Sequence, residues 1–174
     1  FDLVTLFHVL EHLPHPKASL ATLFALLRPG GTLIVEVPNI ASWYARFFGN
    51  DWFHYDVPRH LFHFNPDTLR RIIAEAGFLV TRTDTRNLEY DAFGAVQSLL
   101  NRVLDQANLL NNFNTRQTTF GELWAGRRRF RSLASLAVSE LTLALGFPVM
   151  VLVGLALSSW VDGGTLRFVA RKPD

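Results

Sequence analysis

The sequence predicts an α/β fold built on parallel strands, and three observations carry that expectation. A short apolar strand runs from Phe1 to Phe7, an amphipathic helix follows it and stops at Leu27-Arg28-Pro29-Gly30-Gly31, and a second apolar strand, Thr32 to Val37, stops at Pro38-Asn39. This is one and a half βαβ units, an arrangement that places ligands at the carboxyl ends of the strands. The 174 residues, 49% of them hydrophobic, suffice for a domain with its own core. The absence of cysteine excludes disulfides, thiolate metal sites and a cysteine nucleophile, and fits a reducing compartment. A formal charge of +2 is too small to argue for a nucleic-acid partner.

Each element has a local reason. Pro16 suits a first helical position, and Leu20, Leu23, Phe24 and Leu27 then recur with the spacing of one packed helical face. Leu33, Ile34, Val35 and Val37 form the nearly continuous apolar run of a strand covered on both faces. The stretch Trp43 to Phe64, dense in aromatics and histidines and containing Gly49 and Pro58, reads as a loop with a short helix. A clean helix follows, with Asn65 as N-cap, Pro66 first, Asp67 favourable to the dipole, Leu69, Ile72, Ile73 and Ala76 inward, and Gly77 closing it. A strand from Phe78 to Arg86 comes next. Phe93, Val96, Leu100, Val103, Ala107 and Leu110 then mark an amphipathic helix, a polar stretch runs through Thr119, and a hydrophobic segment starts at Leu133. Thr165 to Arg171, introduced by Gly163-Gly164, reads as a closing strand.

Taken together, Phe1-Asp2-Leu3-Val4, Val9-Leu10-Glu11-His12-Leu13 and Leu27-Arg28-Pro29-Gly30-Gly31-Thr32-Leu33 resemble the second half of a class I S-adenosylmethionine-dependent methyltransferase, read from its fourth strand onward. The resemblance implies the C-terminal half of a Rossmann-like seven-stranded sheet, with an antiparallel last strand slotted between the two before it. Residues 1–86 and 165–174 would form that core, and 87–164 a helical insertion. It also implies S-adenosylmethionine as cofactor, with Leu6, Phe7 and His8 at the end of the first strand facing the adenosyl group. The family opens with a glycine-rich turn, and no Gly-x-Gly-x-Gly occurs here. The chain is therefore expected to be a fragment without its N-terminal cofactor-binding half and inactive by itself.

Leu141 to Val161 carries no charge and reaches the length of roughly 20 residues needed to span a bilayer. Arg127-Arg128-Arg129 with Arg131 precede it, fitting either an anionic lipid contact or a solvated loop. A single crossing would put the last strand on the wrong side of the membrane from its sheet. The expectation is thus a hydrophobic hairpin at about 133–161, broken near Phe147-Pro148, that either dips into one leaflet or packs on the domain or a second subunit. A cytoplasmic protein, peripheral on the inner face of the membrane, would follow from the first of these.

His8-Val9-Leu10-Glu11-His12 also fits the H-x-x-E-H pattern of zinc peptidases. Its place directly after a buried strand, with Pro14 and Pro16 close behind, argues against the long helix that chemistry requires. Some methyltransferases use a related Glu-x-x-Glu-His for a divalent metal near the acceptor. Here His8 replaces the first Glu, and the expectation is no metal, with Glu11 and His12 a buried hydrogen-bonded pair. Methyl transfer to a hydroxyl needs alignment and a base, a role suited to a histidine titrating near neutrality. The candidates are His54, His60 and His63. His60, with Asp56 or Arg59 nearby, is favoured because Asp56-Val57-Pro58-Arg59-His60-Leu61 resembles a segment common in a subgroup of these enzymes. The function implied is O-methylation of a small-molecule or lipid-linked acceptor. The rival is a catalytically inactive scaffold that keeps the fold.

Overall fold

The computed structural model describes residues 1–104, 108–116, 118–119, 129–157 and 162–174. The chain forms two compact units. The first comprises Phe1–Phe47, Asp56–Asn87 and Trp160–Asp174, and the second Phe48–Tyr55 and Leu88–Ser159.

The first unit contains β1 (Leu3–Phe7), α1 (Pro16–Leu26), β2 (Thr32–Pro38), most of α2 (Trp43–Phe48), α3 (Pro66–Glu75), β3 (Leu79–Asp84) and β4 (Thr165–Arg171). The sheet order is β1-β2-β4-β3. β1 and β2 run parallel, with Phe7 opposite Glu36, while β4 is antiparallel to both β2 and β3. The closing strand is thus inserted between two earlier ones, and an irregularity between Val80 and Arg82 adjusts its register with β3.

Leu20 and Leu27 are buried, and Leu23 and Phe24 pack beside them on a core that includes Leu33, Val35, Leu166 and Phe168. Lys172, just after β4, donates its ammonium to the carbonyls of Phe24 and Leu27 at 2.7 and 2.8 Å. That satisfies acceptors which the end of α1 leaves open. At α3, the Asn65 side chain accepts from the Thr68 N–H at 2.8 Å, and the Thr68 hydroxyl accepts from the Asn65 N–H at 3.0 Å, a reciprocal cap. Gly77 ends this helix at φ +98°, where a Cβ would lie 3.0 Å from the Phe24 ring. Gly77→Ala is therefore expected to cost about 1–3 kcal/mol, read as a lower urea midpoint at unchanged slope.

The second unit is helical: α4 (Leu88–Val103), α5 (Leu109–Asn114) and α6 (Arg129–Leu157). Val96, Leu100 and Leu110 are buried, with Phe93, Leu143 and Met150 packed on them. Val103, expected on that face, is 65% exposed, and Ala107 lies outside the described residues. Asn101 Nδ2 donates to the Asp51 carbonyl at 3.1 Å, and Arg102 pairs with Asp51 at 3.0 Å. These bonds draw Phe48–Tyr55 into this unit.

The expected hairpin at about 133–161 is corrected here. α6 is a single helix of 29 residues with Pro148 inside it. Proline removes one backbone hydrogen bond and crowds the preceding turn. Leu143 before it and Met150 after it, however, pack on the same α4 cluster, so one partner holds both halves in line. Residues 158–161 of the expected hairpin lie outside the described residues, as do Arg127 and Arg128.

Candidate functional site

The site is built where β1 ends. Phe7 is the last residue of the strand and half exposed, with the Arg167 guanidinium 6.0 Å above its ring. His8 turns the chain out of the sheet at φ +52°, a left-handed conformation unusual for a residue with a side chain, and still donates its N–H to the Glu36 carbonyl at 2.9 Å. A short 3₁₀ turn, Leu10–His12, follows. The long helix that an H-x-x-E-H zinc site requires is therefore not formed.

Two tethers bring a distant segment to this turn. The Glu11 carbonyl accepts from the N–H groups of Leu61 and Phe62 at 2.9 and 3.2 Å, and the His12 Nδ1–H donates to the Arg59 carbonyl at 2.9 Å. The segment is also clamped internally. Arg59 donates to the Asp56 carboxylate at 2.7 Å, and the His60 N–H donates to the Asp56 carbonyl at 3.1 Å. Asp56 and Arg59 thus act through loop geometry that sets the position of His60.

The result is a cluster. Ligand-capable atoms of Glu11, His12 and His60 all lie within 4.8 Å of one another. The His12 and His60 rings are 4.7 Å apart at 64°, and His63 stands 6.4 Å beyond His60. Glu11 is fully buried, and neither carboxyl oxygen receives a hydrogen bond among the described residues. His8 Nδ1 stands 3.4 Å and His60 Nε2 4.0 Å from its Oε1. The expected Glu11–His12 hydrogen bond is therefore replaced by a carboxyl group facing imidazoles without a bonded donor. Such a group costs several kcal/mol unless a proton or a cation completes it.

Beside the cluster lies a second polar group that sequence reading missed. Glu36, buried in β2, accepts from Arg167 Nε at 2.6 Å and Asn87 Nδ2 at 3.0 Å, and His8 Nε2 lies 3.3 Å from it. Burial raises the pKa of Glu36, but His8, Asn87 and Arg167 outweigh it and bring the value down to about 2. Burial likewise opposes a charge on His8, yet Glu11 and Glu36 together lift its pKa to about 9. The available signal was an isolated carboxylate within the run Leu33–Val37, matched by an arginine in the closing strand. Those two residues lie opposite in register.

Of the residues expected from sequence, Leu6, Phe7 and His8 sit together at the end of β1, His60 faces the Glu11 turn, and Asp56 is bonded to Arg59 and to the His60 N–H. His54 falls in the second unit. There it is buried among Trp52, Phe53 and Tyr90, and a Cβ on Gly94 would lie 2.9 Å from its Nε2. The exposed Phe7 ring at the strand's carboxyl end offers a flat apolar face of the kind a nucleoside packs on, while both ring nitrogens of His8 face the carboxylates of Glu11 and Glu36.

Residues 1–83 match the family model of a methyltransferase domain. No curated protein matches. Among solved structures, coclaurine N-methyltransferase bound to N-methylheliamine and S-adenosylhomocysteine is similar over 98% of this chain and 48% of its own, at 12% identity and a TM-score of 0.51. An S-adenosylmethionine-dependent methyltransferase from Archaeoglobus fulgidus is similar over 99% and 59%, at 17% identity and a TM-score of 0.48. The [4+2]-cyclase SpnF is similar over 99% and 50%, at 19% identity and a TM-score of 0.48. The chain spans about half the length of these structures.

Proposed function

We propose, for a chain whose residues 1–83 match the family model of a methyltransferase domain, that the protein transfers a methyl group from S-adenosylmethionine to an oxygen of a small-molecule or lipid-linked acceptor. The observation that carries the choice of oxygen is the convergence of Glu11, His12 and His60 beside the carboxyl end of β1. A hydroxyl, unlike a neutral amine, must lose its proton to become a good nucleophile, so a base belongs at this point.

S-adenosylmethionine supplies an already activated methyl group. Phe7 offers the nucleoside an apolar face, and Leu6 and His8 border it. His60 accepts the hydroxyl proton at its ring nitrogen, Glu11 stabilises the resulting imidazolium across 4.0 Å, and the Asp56–Arg59 clamp holds the loop in place. The test, made on the full-length protein, is transfer of labelled methyl groups from S-adenosylmethionine to a panel of phenols, catechols and aliphatic alcohols. His60→Gln is expected to lower transfer by about 10²–10⁴-fold. Cofactor binding with no transfer to any hydroxyl would favour the inactive scaffold instead.

A second reading is favoured by the unbonded Glu11 carboxyl. Glu11, His12 and His60 could together hold a divalent cation, which would supply Lewis-acid activation of the hydroxyl. The His12 Nδ1–H bond to the Arg59 carbonyl leaves Nε2 as the ligand atom, the usual orientation device of metal-binding histidines. Activity abolished by chelation and restored by Mg²⁺, Mn²⁺ or Zn²⁺ would select this reading over a free base.

α6 supports a peripheral membrane location. Ala134–Ala156 is long and apolar enough to cross a membrane, and little of it is buried. Leu141, Leu145, Val149 and Leu152 expose one stripe along it. Because β3 and β4 are neighbours in one sheet and α4 carries Asp91, Gln97 and Arg102, a single crossing would break the fold. The helix is therefore read as lying in the plane of the membrane surface. Co-sedimentation with phosphatidylglycerol vesicles is expected, and Leu145→Asp with Leu152→Asp should abolish it. A dimer broken by the same pair, without vesicle binding, would assign the stripe to a second copy.

A further inference from the structure

We propose that the acceptor is an apolar, ring-sized molecule bearing a carboxylate or phosphate, and that its anionic end is received in the cavity between the first turns of α1 and α3. The word acceptor rests on the methyl-transfer reading; the ligand class rests on the cavity itself.

The cavity has a volume of about 560 Å³, enough for a molecule of one or two rings. One part of its lining is apolar, with Phe62 and Phe64 stacked 6.2 Å apart and Ile72 beside them. The remainder is basic: His15, Lys17 and Arg71 line it, and no aspartate or glutamate does among the described residues. Lys17 is engaged with Glu75 at 2.6 Å. Arg71 has no hydrogen-bonded or ion-paired partner among the described residues, and Glu75 acts on it only through space. A guanidinium left unengaged beside an apolar wall is a natural receiver for an oxyanion on an apolar body.

Two further features agree with this placement. His15, the N-cap of α1, makes no side-chain capping bond and Pro16 has no N–H, so the N–H groups of Lys17 and Ala18 add donors on the same wall. His63 also lines the cavity, and its ring is 6.4 Å from that of His60. A molecule anchored at Arg71 can therefore extend its other end toward the Glu11 cluster.

The test is calorimetric binding of naphthoate, naphthyl phosphate and uncharged naphthol to the protein. At least one anionic probe is expected to bind about 10- to 100-fold tighter than naphthol, the margin of one charge-assisted contact. The tighter of the two identifies the group. Arg71→Gln should erase that margin, and Arg71→Lys should keep part of it. His15→Asp places a carboxylate at the α1 N-cap. It should raise thermal stability and weaken both anions, so that loss of binding is separated from loss of the fold by the melting temperature. Equal binding of all three probes, no binding of any, or an Arg71→Gln margin equal to wild type would each overturn the proposal. Anion binding without methylation of any hydroxylated counterpart would leave the pocket standing and remove the methyl-transfer reading. Methylation of neutral phenols with no anionic preference would do the reverse.

Discussion

Glu11→Gln is expected to lower methyl transfer by about 10²–10⁴-fold while changing the stability of the fold by no more than about 1 kcal/mol in either direction. The two effects differ in size because the desolvation that an amide avoids is offset by loss of the carboxylate that lies 3.4 Å from the His8 ring and raises its pKa. Its carboxyl is fully buried, and neither oxygen receives a hydrogen bond among the described residues. A neutral amide there no longer carries the desolvation cost of an ion. A site that serves only packing would behave the other way round, losing stability and leaving turnover alone. Paired measurements of initial rate and chemical unfolding decide between the two. A variant that is both less stable and fully active would refute the role given to Glu11.

The largest stability effect is expected at Glu36. Glu36→Ala removes the acceptor for Arg167 and Asn87 and the neighbour of His8 in one step, leaving two cations facing a buried gap. Breaking a buried pair in this way costs about 3–5 kcal/mol, whereas replacing both Glu36 and Arg167 by leucine should recover much of the loss. Acid titration gives an independent reading. The pKa of Glu36 is lowered from 4.5 to about 2, so its contribution is complete above about pH 4.5 and is lost as the pH falls toward 2. Urea midpoints should therefore fall steeply across that window in the wild type and more gently in Glu36→Gln.

What could be read from the chain alone was whatever is decided locally. α3 was fully legible, because Asn65, Pro66 and Gly77 mark its two ends within thirteen residues of sequence. The place of the closing strand came from the resemblance, and the register Val35 with Phe168 agrees with it. The Glu36–Arg167 pair was not legible, since it joins residues far apart in sequence whose partnership exists only once β4 is inserted. The continuity of α6 was missed for a related reason. Pro148 is a breaker by propensity, and only packing on α4 on both sides of it overrides that preference. His54 and His60 looked equivalent in an aromatic stretch without periodicity. Hydrogen bonds from Asn101 and Arg102 draw the former to one unit, and those of Asp56 and His12 hold the latter in the other.

The sheet order has a kinetic implication. Until Thr165–Arg171 has been synthesised, Leu79–Asp84 has no hydrogen-bonding neighbour among the described strands, and the parallel pair keeps a bare apolar flank. During translation, most of the polypeptide must emerge before its interior can close. A ribosome stalled within the helices ahead of that strand would display an aggregation-prone edge, and molecular chaperones would meet a sheet still awaiting its keystone.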